Sequence, residues 1–360
     1  MHRNGLLPAM AAIDQCRSFG ANPAIVRYVE SWRPQGPPRS CRKLVSVSGF
    51  AYIHMTPKIG GAWSATLKSV GFGFMSDFAQ SPSTFPREIF ETSMQLIQEQ
   101  RWLVKMSREF CELIGSCPSD YHRQMLIDLL SRTTYVSAEE YVDIIDKMRE
   151  QVEDVWNLSP STTLFVSSNN KHHVDSSKEV LNQLKSSAWK NLSWKKQLFQ
   201  VAFSTAIGAA KDGHTLVIVD DFVGSGGSML KALKWLADAA AAKGIAIDLR
   251  VLTASGCFEG IANIQNAGYT VQCMVPIRKG LSDHLSGQQL SDAVVQMTDL
   301  ENALEAEIGG KAKFAAYRFG WGQQEAVYVR QGGNTPNNVF PIFWWRPLKS
   351  GARHPIMHRT

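Results

Sequence analysis

Two adjacent carboxylates, Asp220 and Asp221, stand before Phe222-Val223 and a run of small residues: Gly224, Ser225, Gly226, Gly227 and Ser228. Carboxylates accept hydrogen bonds from sugar hydroxyls and bind hard cations through oxygen. Glycines let a backbone approach an anion closely, and the N–H groups at a helix start carry partial positive charge. Ser225 and Ser228 add hydroxyl donors. The small-residue run therefore reads as a phosphate cradle. An acidic pair would repel the phosphate itself, so it serves another part of the ligand, sugar hydroxyls or a bound magnesium ion. No Lys follows the glycines, which argues against a P-loop. The acids precede the glycines instead of following about twenty residues later, which argues against a dinucleotide fingerprint.

The elements that must position these groups flank them. Leu216 to Val219 is a continuous apolar, β-branched run, suited to a strand buried on both faces of a parallel sheet. After the loop, Leu230, Leu233, Leu236 and Ala237 recur at helical spacing until Gly244. Four apolar residues, two acids, two apolar residues and a Gly/Ser loop resemble the phosphoribosyl-pyrophosphate motif of type I phosphoribosyltransferases. That resemblance implies a parallel α/β sheet with flanking helices and a site for phosphoribosyl pyrophosphate. Asp220 and Asp221 would hold the ribose 2- and 3-hydroxyls and, indirectly, the magnesium that neutralises pyrophosphate. Gly224 to Ser228 would hold the 5-phosphate.

Earlier in the chain, Thr162 to Ser167 is a second strand candidate, and Asp175 is positioned to cap a helix carrying Val180, Leu181 and Leu184. If the resemblance extends here, Ser167 to Lys171 is the pyrophosphate loop and Lys171 binds its oxygens. His172 and His173 follow, as site neighbours or as plain loop histidines. A further amphipathic helix is expected near 193–211, with Ser193 as its cap. The segment before it, LKSSAWKNLSWKK, could close over the ligand as a catalytic loop or could be a solvated face anchored by Trp189 and Trp194. Beyond the phosphate motif, Leu249–Thr253 and Tyr269–Ile277 read as strands around a helix at Phe258–Ala267. The carboxyl ends of parallel strands form a ligand crevice. Arg278 lies at such an end, where it meets a phosphate or acceptor group, or forms a surface ion pair.

The C-terminal part contains YRFGWG (317–322) and NTPNNVFPIFWW (334–345). Buried Asn and Trp need specific hydrogen-bond partners, so this cluster orders a turn or lines a site. Asn337 and Asn338 are candidates to read an acceptor base or amide. Together with VDDFVGSGGS, the TPNN–PIFWW ending resembles the PRTase-CE group, phosphoribosyltransferase-like effectors of bacterial conflict systems, including some retrons. The resemblance implies transfer of ribose 5-phosphate to an acceptor, in an anti-phage setting. A catalytically inactive sensor of the same ligand, and a nucleic-acid-associated scaffold, are the rival readings.

The domain boundaries follow composition. Residues 1–74 form a basic extension with little periodicity, nine Lys/Arg against two Asp/Glu; the charge sign and the helical signal change near Met75, a candidate native start. Residues 75–157 are an α-helical segment. One helix is expected from Pro86 to Gly115, a second over about 119–131, and a third opened by the capping box Ser137 to Glu140. Residues 158–345 are the phosphoribosyltransferase-like α/β domain, and 346–360 a basic tail. Such basic ends either attract RNA or DNA or remain solvated. Six cysteines without a CxxC pair suggest free thiols in a reducing cytoplasm and argue against structural zinc. No apolar run approaches the eighteen residues of a membrane span. Partners beyond the donor are a defence-system protein or nucleic acid, and a second copy of the chain. Asp221→Asn is expected to weaken ligand binding with little loss of stability.

Overall fold

The computed structural model describes residues 86–169, 176–308, 312–349 and 351–359, together with the backbone of 51–57 and 63–69. The chain divides into two compact units, 1–84 and 85–360. In the first, strands β1 (Ala51–Pro57) and β2 (Trp63–Ser69) pair antiparallel, with Ala51 opposite Ser69. This hairpin lies where the sequence shows little periodicity.

The second unit opens with helices α1 (Arg87–Glu99), α2 (Ser107–Gly115) and α3 (Asp120–Ser131). The single helix expected to run to Gly115 is broken at Gln100, which leaves helical geometry at φ −103° and ψ 69°. Its side-chain amide donates to the carbonyls of Ser131 and Thr133 and accepts the Trp102 indole N–H at 2.9 Å. A 3-10 stretch, Arg101–Met106, carries the chain to α2. Strand β3 (Thr134–Val136) leads to α4 (Ala138–Glu150). The expected capping box is present there: Ser137 Oγ accepts the Glu140 N–H, and the Glu140 carboxylate accepts the Ser137 N–H at 2.8 Å.

From β4 (Thr163–Ser167) and α5 (Ser176–Lys185) the chain alternates through β5 (Phe199–Gln200), α6 (Phe203–Ala209), β6 (His214–Val223), α7 (Gly227–Ala242), β7 (Ile247–Cys257), α8 (Phe258–Asn266) and β8 (Thr270–Ile277). The strands form one parallel sheet in the order β5-β4-β6-β7-β8. Parallel pairing requires crossovers, which the helices supply. One face carries α6, α7 and α8 around Leu216, Ile218 and Val251. The other packs Val217, Val219 and Phe165 against α4, α5 and the C-terminal aromatics. Each fully buried Val, Leu, Ile or Phe in these layers contributes on the order of 1.5–3 kcal/mol relative to exposure.

The helix expected near 193–211 is shorter than its periodicity suggested. Phe199 and Gln200 join the sheet as β5, because Phe199 stacks on Phe165 with ring centroids 4.6 Å apart. Trp189 and Trp194 pack on the same Phe165 ring, and their indole N–H groups donate to the Leu184 carbonyl and to Glu153. Lys190 pairs with Asp154 at 2.7 Å. The Lys/Trp segment is thus anchored against the helical layer.

After the sheet come α9 (Gly287–Asn302), a helix not anticipated from the sequence, and the two-residue pair β9 (Glu307–Ile308) and β10 (Ala312–Lys313). Strand β11 (Tyr328–Arg330) lies parallel to β3, and α10 (Pro341–Trp344) begins on a proline. Phe340, Phe343, Trp344 and Trp345 are buried in the second layer. The C-terminal residues also dock. Ile356 and Met357 are buried, Arg353 donates to the carbonyls of Ile342 and Trp345, and Arg359 lies over the Trp344 ring. Residues 351–359 therefore belong to the α/β body and are not a solvated tail.

Candidate functional site

Side chains alternate along a strand, so Val217 and Val219 face one layer while Leu216 and Ile218 face the other. Asp221 continues the first set and enters the layer built by α4, α5 and β11. It is 5% exposed. The Tyr141 hydroxyl donates to its Oδ1 at 2.7 Å, and Arg330 Nη2 lies 3.6 Å from Oδ2. The Ser176 side chain, at the first position of α5, also bonds it. Arg330 covers the Tyr141 ring at 4.1 Å and pairs with Glu179 of α5 at 3.1 Å. Burial pushes the Asp221 carboxyl above the ordinary aspartate value, opposed by Arg330 and Tyr141. For Arg330 the burial penalty is outweighed by Glu179 and Asp221, which hold the guanidinium charged. Asp220 is half-buried, and its Oδ1 accepts the Asp221 N–H at 2.8 Å.

Just beyond the acids the chain turns into α7 through Gly224, Ser225 and Gly226. Gly226 has φ +80°, and a Cβ there would lie 2.7 Å from the Gly260 carbonyl oxygen. A Cβ on Gly260 would overlap the Gly224 carbonyl. Only glycine on both sides permits this approach. The first-turn N–H groups of Gly227, Ser228 and Met229 have no acceptor among the described residues, which leaves the positive end of α7 open to an anion.

The C-terminal signature reaches this loop. The Asn338 side chain rests where a Gly224 Cβ would be and donates to the Trp321 carbonyl at 2.8 Å. The Asn337 carbonyl accepts the Trp321 N–H at 2.8 Å. Gly322 packs on Ser225, 3.2 Å from its Cβ to where a Gly322 Cβ would sit. The turn 319–325 holds Phe319, Gln323 and Glu325 at positive φ, an arrangement costly for non-glycine residues. It is pinned from below. The Glu325 carboxylate accepts the N–H groups of Leu281 and Ser282 and the Ser282 hydroxyl, and the buried Glu301 carboxylate accepts the Phe319 N–H at 3.1 Å. Burial raises the Glu301 carboxyl to about 7.

Between α8, the end of β8 and this turn lies a cavity of about 290 Å³, lined by Cys257, Phe258, Glu259, Lys279, Asp283 and Gln324, among others. Lys279 Nζ pairs with Glu259 at 2.7 Å. Gln324 is 1% exposed, its Nε2 donates to the Gly322 carbonyl, and its Oε1 has no partner among the described residues. Both walls of the cavity also touch the glycine loop, α8 through Gly260 and the turn through Gly322.

Of the residues singled out in the sequence, Asp220, Asp221 and Gly224 to Ser228 converge at the carboxyl end of β6. Asn337 and Asn338 both bond Trp321, and Asn338 buttresses the glycine loop at Gly224, its amide being spent on the Trp321 carbonyl. Arg278 lies apart, over the Phe258 ring at 4.9 Å. Lys171, His172, His173 and Asp175 lie outside the described residues. Tyr141, Arg330 and Glu179 carried no sequence signal, because each is a lone polar residue with a partner remote in the chain, and Gln324 carried none because only the fold buries it. Among the described residues no group of three His, Cys, Asp or Glu could hold a metal alone. No described helix is long and apolar enough to cross a membrane.

A comparison with curated proteins finds no match. Among solved structures the chain is similar to the orotate phosphoribosyltransferase from Aeropyrum pernix (17% identity, TM-score 0.27, 38% of this chain and 71% of that one). It is also similar to the Helicobacter pylori xanthine-guanine-hypoxanthine phosphoribosyltransferase (16% identity, TM-score 0.27, 39% and 84%). The PRTase-CE family model matches residues 118–359. That span takes in β4, the acidic pair, the glycine loop, the α8 glycine that fits it and the Asn pair that buttresses it, and the chain belongs to the PRTase-CE family.

Proposed function

We propose that the chain binds phosphoribosyl pyrophosphate and transfers its ribose 5-phosphate to an acceptor, releasing pyrophosphate. The observation that carries this reading is the open positive end of α7 one short turn beyond the half-buried Asp220. The 5-phosphate sits on the N–H groups of Gly227 to Met229, with the Ser225 and Ser228 hydroxyls beside it. Asp220 accepts the ribose hydroxyls, and Asp221 orients the strand end from behind through Tyr141 and Arg330. Asp220, at the crevice edge, would help hold a magnesium ion, which would supply charge neutralisation for the pyrophosphate. Lys171 is assigned to the pyrophosphate on the motif resemblance alone. An oxocarbenium-like transition state needs positioning and electrostatic shielding more than a strong base. The cavity beside Gln324 receives the acceptor. An acceptor N–H would satisfy the unpartnered Gln324 Oε1, and an acceptor lacking it would leave that oxygen buried and unpaired. An anti-phage role follows only from the family resemblance. Loss of phage protection in an Asp220→Asn strain that keeps wild-type protein levels would support it.

The test is calorimetric titration of phosphoribosyl pyrophosphate with magnesium into the wild type, Asp220→Asn and Ser228→Asp. Ser228 is exposed at the helix start, so its carboxylate variant places a negative charge at the anion site without disturbing the core. Both variants should bind at least about tenfold more weakly. Equal affinity in all three proteins would remove the donor from this site. Binding without pyrophosphate release toward any acceptor would favour the sensor reading.

A further inference from the structure

Next to the Gln324 cavity, and sharing Phe258 and Ile277 with it, lies a second recess of about 350 Å³ that also holds Arg132, Arg278 and His284. The two differ in charge. The first contains Glu259 and Asp283 as well as Lys279, whereas no carboxylate lines the second. Arg278 lies over the ring of Phe258, which is 44% exposed, on the wall between them. Arg132 is held by the Gly280 carbonyl at 2.9 Å, so its guanidinium is fixed without a carboxylate partner. Neither Arg132 nor Arg278 forms an ion pair among the described residues. Two guanidinium groups and an imidazole around an uncharged aromatic wall match a phosphate ester whose organic part stacks or points along that wall.

The geometry points to a phosphorylated acceptor: a nucleotide whose N–H-bearing base enters the Gln324 cavity and whose phosphate rests between Arg132 and Arg278. The base would lie across Phe258, and the phosphate loop would remain free for the donor, since none of Gly224 to Ser228 lines either recess. The inference rests on the transferase reading, and it selects a nucleotide over a free base as substrate class. The phosphate belongs to a mononucleotide or to the end of a chain.

The test uses the full chain at low ionic strength. Each of the four ribonucleoside 5′-monophosphates and its matching nucleoside is titrated separately into the wild type, Arg278→Gln, Arg132→Gln and Ser228→Asp. At least one monophosphate should bind about tenfold tighter than its nucleoside, the preference falling to less than about threefold in either arginine variant. It should survive in Ser228→Asp, which weakens only the donor's phosphate site. A preference lost in Ser228→Asp and kept in the arginine variants would place the phosphate on α7 and overturn the proposal. So would equal binding of nucleotide and nucleoside, or no nucleotide binding at millimolar concentration. A 5′-phosphorylated dinucleotide that outbinds the mononucleotide, again through Arg278, would support the chain-end source; the reverse order would support the free nucleotide. Donor binding is measured in the same preparations. Arginine-dependent nucleotide binding in a protein that ignores phosphoribosyl pyrophosphate would refute the transferase reading and leave the nucleotide recess standing.

Discussion

Removing Arg330 tests whether the motif's second acid is a structural hub. The guanidinium is 6% exposed as a side chain and faces two carboxylates, Asp221 at 3.6 Å and Glu179 at 3.1 Å, while covering the Tyr141 ring. Glu179 is 46% exposed, so its share is that of a partly solvated pair, about 0–1 kcal/mol. Asp221 is buried. Arg330→Met keeps the volume over Tyr141 but leaves the Asp221 charge with hydroxyl partners only. An uncompensated buried charge costs about 3–5 kcal/mol. Urea denaturation followed by tryptophan fluorescence reads this, with Asp221→Asn and the double variant completing a cycle. Asp221→Asn alone should cost about 1–3 kcal/mol through weakened charged hydrogen bonds, which revises the mild effect expected from sequence. The double variant should be more stable than the sum of the two losses implies, by about 1–3 kcal/mol. A loss under about 1 kcal/mol for Arg330→Met, or strictly additive variants, would refute the hub.

Three further outcomes follow from the site. Glu301 has a folded pKa of about 7 against an ordinary 4.5. The folded state then binds the extra proton between those values, and its stability falls as pH rises through that window, on the order of 2 kcal/mol between pH 5 and 8. Glu301→Gln should flatten that slope in denaturation curves taken at both pH values; an unchanged slope would absolve Glu301. Gly260→Ala would drive a methyl into the Gly224 carbonyl, so it should cost about 1–3 kcal/mol and lower donor affinity, while Gly208→Ala, where a Cβ meets nothing, should do neither. Gln324→Met removes the unpartnered oxygen at similar volume. It should leave stability within about 1 kcal/mol of wild type yet narrow the discrimination between acceptors with and without an N–H, as read by competition binding.

How far the sequence alone reaches depends on how local each signal is. Strand β6, the glycine turn and α7 are contiguous, so pattern and composition suffice to place them. The Ser137–Glu140 capping box is equally local and forms as read. Helix α1 ends early because Gln100 finds carbonyls at Ser131 and Thr133, over thirty residues away. Strand β5 replaces helix because Phe199 stacks on Phe165, also thirty-odd residues off. In both cases tertiary contacts override a periodicity that was present. Helix α9 is a different case: Ala293, Met297 and Leu300 keep helical spacing in an otherwise polar sequence, so its signal is local and legible although no helix was expected there.

The two adjacent acids show where such reading stops. A motif written as a string treats Asp220 and Asp221 as equivalent, whereas a strand sends neighbouring side chains to opposite faces. One carboxylate therefore stays half-buried at the crevice edge, and the other enters a layer made by α4, α5 and β11. Its partners Tyr141 and Arg330 lie eighty residues before it and over one hundred after it, beyond any local pattern. The link has a functional consequence. Ser176 and Glu179 stand in the first turn of the helix that follows Ser167–Lys171, the stretch assigned to pyrophosphate, and both bond the network around Asp221. The start of α5 and the carboxyl end of β6 are then tied to one buried charge. Tyr141→Phe removes one hydrogen bond from that charge while leaving Asp220, the phosphate loop and Arg330 in place. It should weaken phosphoribosyl pyrophosphate about tenfold while changing ribose 5-phosphate, which lacks the pyrophosphate, by less than about threefold. Equal losses for the two ligands would reduce Asp221 to a support of the fold.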